Sequence, residues 1–485
     1  MTDLPPGWAQ TTLGEILLRI EAGKSFSCEP RRANADEWGI IKVSAMTWGS
    51  FREEENKAIP PGAAFDPAYE ISPGDILVSR ANTREYVGAP VLVGSCRPRL
   101  LLSDKSLRLV PSPYIDRRWL ALLLSSPSMR GEISRRATGT KDSMRNISQV
   151  LLRDIRVQVP SATEQQRIVA TLEDHFSRLD SARNYLYDAS RRIGGLISQI
   201  RITEILGVLD SSAEQQRLPA GWRWGTLADV LEGIESGKSY ACEPRPATAE
   251  EWGVIKVSAM TWGKFRQDEN KAVPLGKEFD PRYEIVPGDI LVSRANTAEY
   301  VGAPVLVGEC RSRLLLSDKS LRLKVRSDVS RKWLIQVLAS PFVRGQISAQ
   351  ATGTKDSMRN ISQKSLLAIK IPVAPYGEQE LIAARLEELL DHASRLSGEV
   401  ANAERRTSFL RQALLKEAFA GRLLPQDPAD EPASELLARI KAERAQSSET
   451  TRARRTKPKD PPATTRTEWP NADHTPTTYE QGELL

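Results

Sequence analysis

The residues of this chain best equipped for chemistry are cations, amides and hydroxyls set close to glycines, and each set occurs twice. Lys24, Ser25 and Arg31 return as Lys238, Ser239 and Arg245; Thr47 returns as Thr261; Arg80, Asn82 and Tyr86 return as Arg294, Asn296 and Tyr300. Lys105 and Lys319, Lys141 and Lys355, and Arg145 and Arg359 complete the pairs. Arg can fork onto guanine and Asn onto adenine, Lys, Ser and Thr can hold phosphates, and glycine lets a backbone approach a groove. All of these residues are therefore candidates for DNA contact. Identity between the copies does not by itself separate readers from framework, because core and surface repeat alike.

Signatures of catalysis are missing. Gly23-Lys24-Ser25 and Gly237-Lys238-Ser239 imitate the end of a phosphate loop, but the glycine needed five positions earlier is Leu18 in one copy and Glu232 in the other. The sequence has no G-x-G-x-x-G and no Asn-Pro-Pro-aromatic motif of the kind used on a flipped base. Its three histidines, His175, His392 and His474, support neither a nucleophile relay nor a histidine metal site. Asp66, Glu70, Asp75 and Asp104 recur in the second copy, but carboxylates near glycine turns are expected to cap and brace loops. No catalytic residue, metal ligand or bound cofactor is assigned to this chain.

Two copies of one domain must position these residues. Residues 4–149 return as 218–363 at a constant offset of 214 with no gap, roughly 100 of the positions being identical. Each copy is expected to be an α+β globule: a helix over 13–20 and 227–234, then short strands at 40–43, 75–78, 91–93 and 106–109 separated by Gly and Pro turns. Trp38, Trp48 and Trp119 are expected in the core. A strand at 155–160 or 369–375 ends each globule in proline, and Glu-Gln then opens a long polar segment.

In the first long segment apolar or small residues fall at Ile168, Leu172, Leu179, Ala182, Leu186, Ala189, Ile193, Leu196 and Ile200. The second has Ile382, Leu386, Leu389, Ala393, Leu396, Val400, Ala403, Leu410 and Leu414. Gaps of three and four sustained over so many residues predict long helices of roughly 60 Å, suited to pairing with each other, with Gly207 and Gly421 as C-caps. The expected division is 1–160 first recognition domain, 161–210 central helix, 211–375 second recognition domain and 376–423 C-terminal long helix. A short helical extension at 424–446 and a Thr-, Pro-, Arg- and Lys-rich disordered tail at 447–485 follow.

Composition agrees without deciding. A net charge of +6 on 485 residues fits a polyanion partner but is shared by many soluble proteins. Four cysteines without a C-x-x-C spacing read as buried free thiols in a reducing compartment. With no apolar signal core at the start and no greasy run of membrane length, a cytoplasmic protein is expected.

Taken in order, the motifs resemble those of the specificity subunits of type I restriction-modification systems, over nearly the whole chain to about residue 445. The matching marks are Leu-Pro-x-Gly-Trp at 4–8 and 218–222, Gly-Asp-Ile-Leu at 74–77 and 288–291, and Gly-Thr with a following Asn-Ile at 139–147 and 353–361. The Glu-Gln opening of each long helix and the run from Leu410 to Gly421 into Pro425-Gln-Asp-Pro are similar too. The resemblance implies two target recognition domains held apart by two antiparallel helices, which also dock two methyltransferase subunits, with two translocase-nuclease subunits outside. It implies a non-catalytic chain whose partners use S-adenosylmethionine, ATP and magnesium. It transfers no base-contacting residues.

The family usually carries two unlike recognition domains and reads an asymmetric two-part site, whereas these two are close copies. Equal heads meeting the duplex in opposite directions are expected to read an inverted repeat. From the residues alone two other readings stay open: a free-standing DNA-binding or architectural protein, and a nuclease that cuts unaided.

Overall fold

In the computed structural model, residues 4–142, 144–206, 218–261, 263–355 and 358–456 are described. The chain divides into two compact units, one of Met1–Ser177 with Leu410–Leu485 and one of Arg178–Phe409. Each unit therefore holds one copy of the repeat together with the start of one long helix and the end of the other.

The first copy is built on four small sheets. Leu17–Ala22, Ser106–Pro111, Ile76–Ser79 and Pro90–Leu92 form an antiparallel four-stranded sheet in that order. Asn56–Ala58, Gly39–Ile41 and Leu100–Leu101 form a second sheet, its last pair parallel. Ala81–Asn82, Met144–Asn146 and Thr138–Lys141 form a third. Ala9–Thr12 pairs with Arg156–Val159 as a seam joining the start of the copy to its end. Two helices follow, Arg117–Ser125 and Pro127–Arg136, the first carrying the fully buried Trp119. The second copy repeats these pairings 214 residues on, with Arg223–Thr226 on Lys370–Val373 as its seam and Trp333 as its buried centre.

Several sequence expectations are corrected. The helix expected over 13–20 is only Leu13–Ile16, because Leu17–Ala22 bonds to Ser106–Pro111 instead. Its counterpart is a single 3-10 turn, Leu227–Asp229, closed by a Thr226–Asp229 capping box. A short apolar run fits both periodicities, and sheet pairing decides it. Trp48, expected in the core, is 58% exposed with the Arg52 guanidinium 4.1 Å above its ring; Trp262, its counterpart, lies outside the described residues. The cysteines are free but half-buried rather than buried.

The long helices span Ala162–Leu206 and Tyr376–Ala418. In the first unit Arg411 of the later helix stacks 4.1 Å over Phe176 of the earlier one. In the second unit Glu204 near the end of the earlier helix pairs with Arg385 near the start of the later one at 3.2 Å. Opposite ends meet, so the helices run antiparallel. The expected apolar stripe is incompletely covered: Leu196, Leu396 and Leu410 are 51%, 49% and 50% exposed. Two paired helices bury only a narrow seam, which leaves flanking stripe positions open. Among the described residues no helix is long and apolar enough to cross a membrane.

Glu-Gln at each helix start is a clamp. Gln165 is fully buried; its side-chain oxygen accepts the Asp116 N–H at 2.9 Å, and its amide donates to Pro160 O at 3.2 Å. Gln379 repeats this on Ser330 N–H and Ala374 O at 2.9 and 2.8 Å. Glu164 accepts the Trp8 indole N–H at 3.0 Å, and Glu378 accepts that of Trp222 at 2.6 Å, which explains the recurrent Trp of Leu-Pro-x-Gly-Trp.

Burial pushes the Glu164 carboxyl above its ordinary range, against the opposing pull of Trp8, Gln426 and Arg167. The folded state then holds this proton more tightly than the unfolded chain does, so its contribution to stability falls as pH rises from about 4.5 through the raised folded value. A Glu164→Gln variant, which still accepts from Trp8, should show a flatter dependence of melting temperature on pH over that window. Identical slopes in wild type and variant would remove Glu164 from the account.

The chain after the second long helix packs on the first copy. Gly421, at φ +68°, lies beyond the last helical residue in the terminating turn, where an added Cβ would fall 2.3 Å from Pro5. Gly207 lies outside the described residues. Asp430 bonds Ser161 and pairs with Arg167, the Ala433 N–H donates to Gly7 O at 2.9 Å, and Arg444 reaches Gly14 O and Glu15 O at 3.0 and 3.1 Å. The terminal helix is Ala433–Thr456, ten residues longer than expected. Anchoring at Glu443 and Arg444 fixes the helix just before the segment where disorder was expected, and the helix continues through it. The remainder of that expected tail, 457–485, lies outside the described residues.

Candidate nucleic-acid interface

Backbone pairing links Arg80 to Lys105 and Asn82 to Arg145 in the first copy, and the second copy repeats it. Ile76–Ser79 is buried throughout and delivers the chain to Arg80, which is exposed. The Arg80 N–H donates to Lys105 O at 2.8 Å, and Ile147 N–H donates to Arg80 O at 3.0 Å, so Arg80 links the Lys105 turn to the end of the 138–146 hairpin. Its guanidinium makes only a long contact, 3.4 Å to Asp104 O. Arg294 is placed alike, 3.4 Å from Ser236 Oγ and 3.5 Å from Asp318 O. Neither arginine has a carboxylate partner among the described residues.

The loop after Arg80 is tightly fixed. Thr83 O accepts from Tyr86 N–H and Val87 N–H at 3.1 and 2.8 Å, and half-buried Arg130 donates to Glu85 O at 2.9 Å. Gly88, at φ +74°, leaves room for Ile133, whose methyl would lie 2.2 Å from a Cβ. Tyr86 and Tyr300 are half-buried within this loop, and the Tyr300 hydroxyl bonds Glu299.

The structure separates candidates whose polar atoms are open from those already occupied. Asn82 donates to Ser79 Oγ at 3.2 Å and accepts from Thr83 N–H at 2.9 Å, and Asn296 does the same. Thr47 and Thr261 each donate to a serine carbonyl at 3.1 Å. Arg145 braces its hairpin by donating to Gly139 O at 3.0 Å and to Ala137 O; Arg359 repeats this. Arg31 is forked onto Glu37 and bonded to Glu29, and its hydrogen bond, with help from the Asn34 N–H, pulls the Glu37 carboxyl to about 2. Arg245 and Glu251 form the same pair, with Glu251 at about 2. Lys141 and Lys355 end their strands, and their side chains lie outside the description.

Lys24, Ser25, Lys105, Lys238, Ser239 and Lys319 are exposed. Gly23 precedes Lys24 where a Cβ would lie 2.2 Å from Ser103 O, and the Lys24 ammonium sits 5.3 Å from the Tyr69 ring. In the second copy Lys238, Ser239 and Lys319 line a groove of about 460 Å³ together with Lys256 and Lys271, two lysines that residue chemistry beside glycines did not single out. Strand alternation held their signal: Lys57 and Lys271 stand exposed between buried neighbours. Trp48, Met144 and Met358 are exposed apolar groups beside the candidate loops. A larger cavity, about 680 Å³, lies where Pro5 and Gln10 meet Phe419 and Gly421 and contains no candidate residue.

The repeated carboxylates brace loops. Asp66 caps Ala68 N–H at 2.9 Å, Glu70 accepts Arg99 N–H at 2.6 Å, and Asp75 accepts Ser72 N–H at 3.0 Å. Among the described residues no three His, Cys, Asp or Glu side chains cluster as a metal site.

Comparison with known proteins places this architecture. No family model matches the sequence. The type I restriction enzyme EcoEI specificity subunit of Escherichia coli is 33% identical over 204 residues, 42% of this chain and only about a third, 34%, of that relative. The EcoKI specificity subunit of Escherichia coli K12 is 23% identical over 475 residues, covering 92% of this chain and 97% of its own. A solved chain from work on complex assembly and conformational transition of the type I R-M system superimposes with a TM-score of 0.64 at 21% identity, over 87% of this chain and all of that one. That likeness carries the fold.

Proposed function

Because the chain belongs to the specificity subunits of type I restriction-modification systems, we propose that it selects the DNA sequence on which its partner subunits act, and that the sequence is an interrupted palindrome. The observation that carries the palindrome is the repeat itself: both copies hold Arg80 or Arg294, Lys24 or Lys238 and Lys105 or Lys319 in the same local frame. On antiparallel helices the equal heads meet the duplex in opposite directions and read an inverted repeat. The chain is the non-catalytic member of its complex. Similarity to specificity subunits over nearly the full length sets aside the free-standing DNA-binding protein.

In finer detail, we assign it two methyltransferase and two translocase-nuclease partners in the cytoplasm, the partners using S-adenosylmethionine, ATP and magnesium. Tyr185, Tyr187, Leu196, Leu396 and Phe409, exposed along the long helices, suit such docking. The test is a map of methylated adenines in a genome carrying the chain with its methyltransferase. The expected motif has two inverted half-sites of a few base pairs, their centres about 10 base pairs apart. An asymmetric two-part motif would overturn the palindrome.

A further inference from the structure

The lysine groove has an architecture that sequence reading did not assign. In the second copy Lys238 bridges Ser317 in parallel register, Lys271 lies on the strand Asn270–Ala272, and Lys319 occupies the turn before Ser320–Val325. All three are exposed on the groove and lack a carboxylate partner among the described residues. Lys256 differs: Glu269 pairs with it at 3.3 Å while accepting the Ser258 hydroxyl at 2.6 Å. The groove's one acidic lining residue, Asp318, is half-buried. The first copy has the same types at Lys24, Lys57 and Lys105, with Lys42 paired to Glu55 at 3.3 Å and Lys24 bridging Ser103.

Exposed positions elsewhere have diverged between the copies, as Arg32 to Pro246, Ala68 to Arg282 and Arg84 to Ala298. The unpaired lysines have not. Like charges crowded around a concavity raise the local positive potential and favour a polyanion or a fixed anion there.

Resting on the DNA-recognition reading, we propose that the groove of the second copy and the matching lysines of the first grip the sugar–phosphate backbone, with Lys24, Lys57 and Lys105, and Lys238, Lys271 and Lys319, as phosphate contacts. Lys42 and Lys256 are held aside by Glu55 and Glu269. The groove adjoins the reading loop through Lys105 O and Lys319 O, which accept the Arg80 and Arg294 N–H groups. Gripping the backbone there sets the register in which the loop meets base edges.

Binding of the full chain with its methyltransferase partners to target and non-target duplexes, measured across salt concentrations, tests this. In the Lys57→Ala and Lys271→Ala double variant, affinity should fall by the same factor for both duplexes. The slope of log affinity against log salt should shallow by about 2, near 0.9 for each phosphate that is no longer neutralised. The Lys57→Arg and Lys271→Arg double variant should keep the wild-type slope. If the wild-type complex binds no DNA, the functional reading itself fails. If it binds but the alanine variant keeps its slope and affinity, or the arginine variant behaves as alanine does, the groove assignment alone fails. Loss of a partner subunit with an unchanged slope would instead assign the groove to an acidic protein surface and overturn the proposal.

Discussion

Arg80→Ala should relax base choice at one position of one half-site, Arg294→Ala at the mirror position of the other, and the double variant at both. The expected loss of discrimination is about 1–3 kcal/mol at each position, the range of a two-pronged Arg–guanine contact. Three observations lead to this. Each guanidinium is exposed, touches only carbonyl or hydroxyl oxygens at 3.4–3.5 Å, and is carried on a backbone bonded on both sides. A side chain free at its tip and fixed at its root can read without reorganising, and its removal leaves no buried partner unpaired. Competition among duplexes varied one base pair at a time measures the effect. The Arg80 assignment fails if the variant keeps the wild-type order of preference at every position.

The largest loss of stability is expected at the helix clamps. Gln165→Ala leaves the Asp116 N–H and the Pro160 carbonyl without a partner in a buried site, and Gln379→Ala does so for Ser330 and Ala374. Unpaired buried polar groups cost about 1–3 kcal/mol each, so each variant should lose about 2–6 kcal/mol. The cost is local. Hydrogen exchange should quicken in Arg117–Ser125 and the start of the central helix for Gln165→Ala, and in the matching elements of the other copy for Gln379→Ala. Unchanged protection in both would show that the clamp is redundant with the Trp8 and Trp222 bonds.

The sequence displayed the duplication and the long helices, which depend on a repeat or a sustained period, and the strands near 40, 76, 91, 107 and 156, but not the shorter ones between them. It did not display the seam: Arg156–Val159 alternates and was expected as a strand, but its partner Ala9–Thr12 lies far away in the chain and does not alternate. Nor did it rank the candidate residues. Arg31, Asn82 and Arg145 have the same chemistry as Arg80 and Lys24, and only the positions of Glu37, Ser79 and the Ala137 carbonyl show that their donors are occupied. Lys57 was overlooked because its only mark, an exposed position between buried neighbours in a short strand, does not show what it faces.

The seam also bears on how such a chain avoids tangling with itself. Two tandem copies this alike invite misassembly during folding, a strand of one being accepted by the other. The divergence between them falls where it can oppose this. In one seam Gln10 faces Gln158; in the other Trp224 faces Pro372 and its ring lies 5.8 Å from Phe342, where the first copy has Ser128. Exchanging these strands would put an indole against a polar shelf and leave Phe342 without its partner. The proposed contact residues stay alike while the closing strands carry the mark of which copy they belong to.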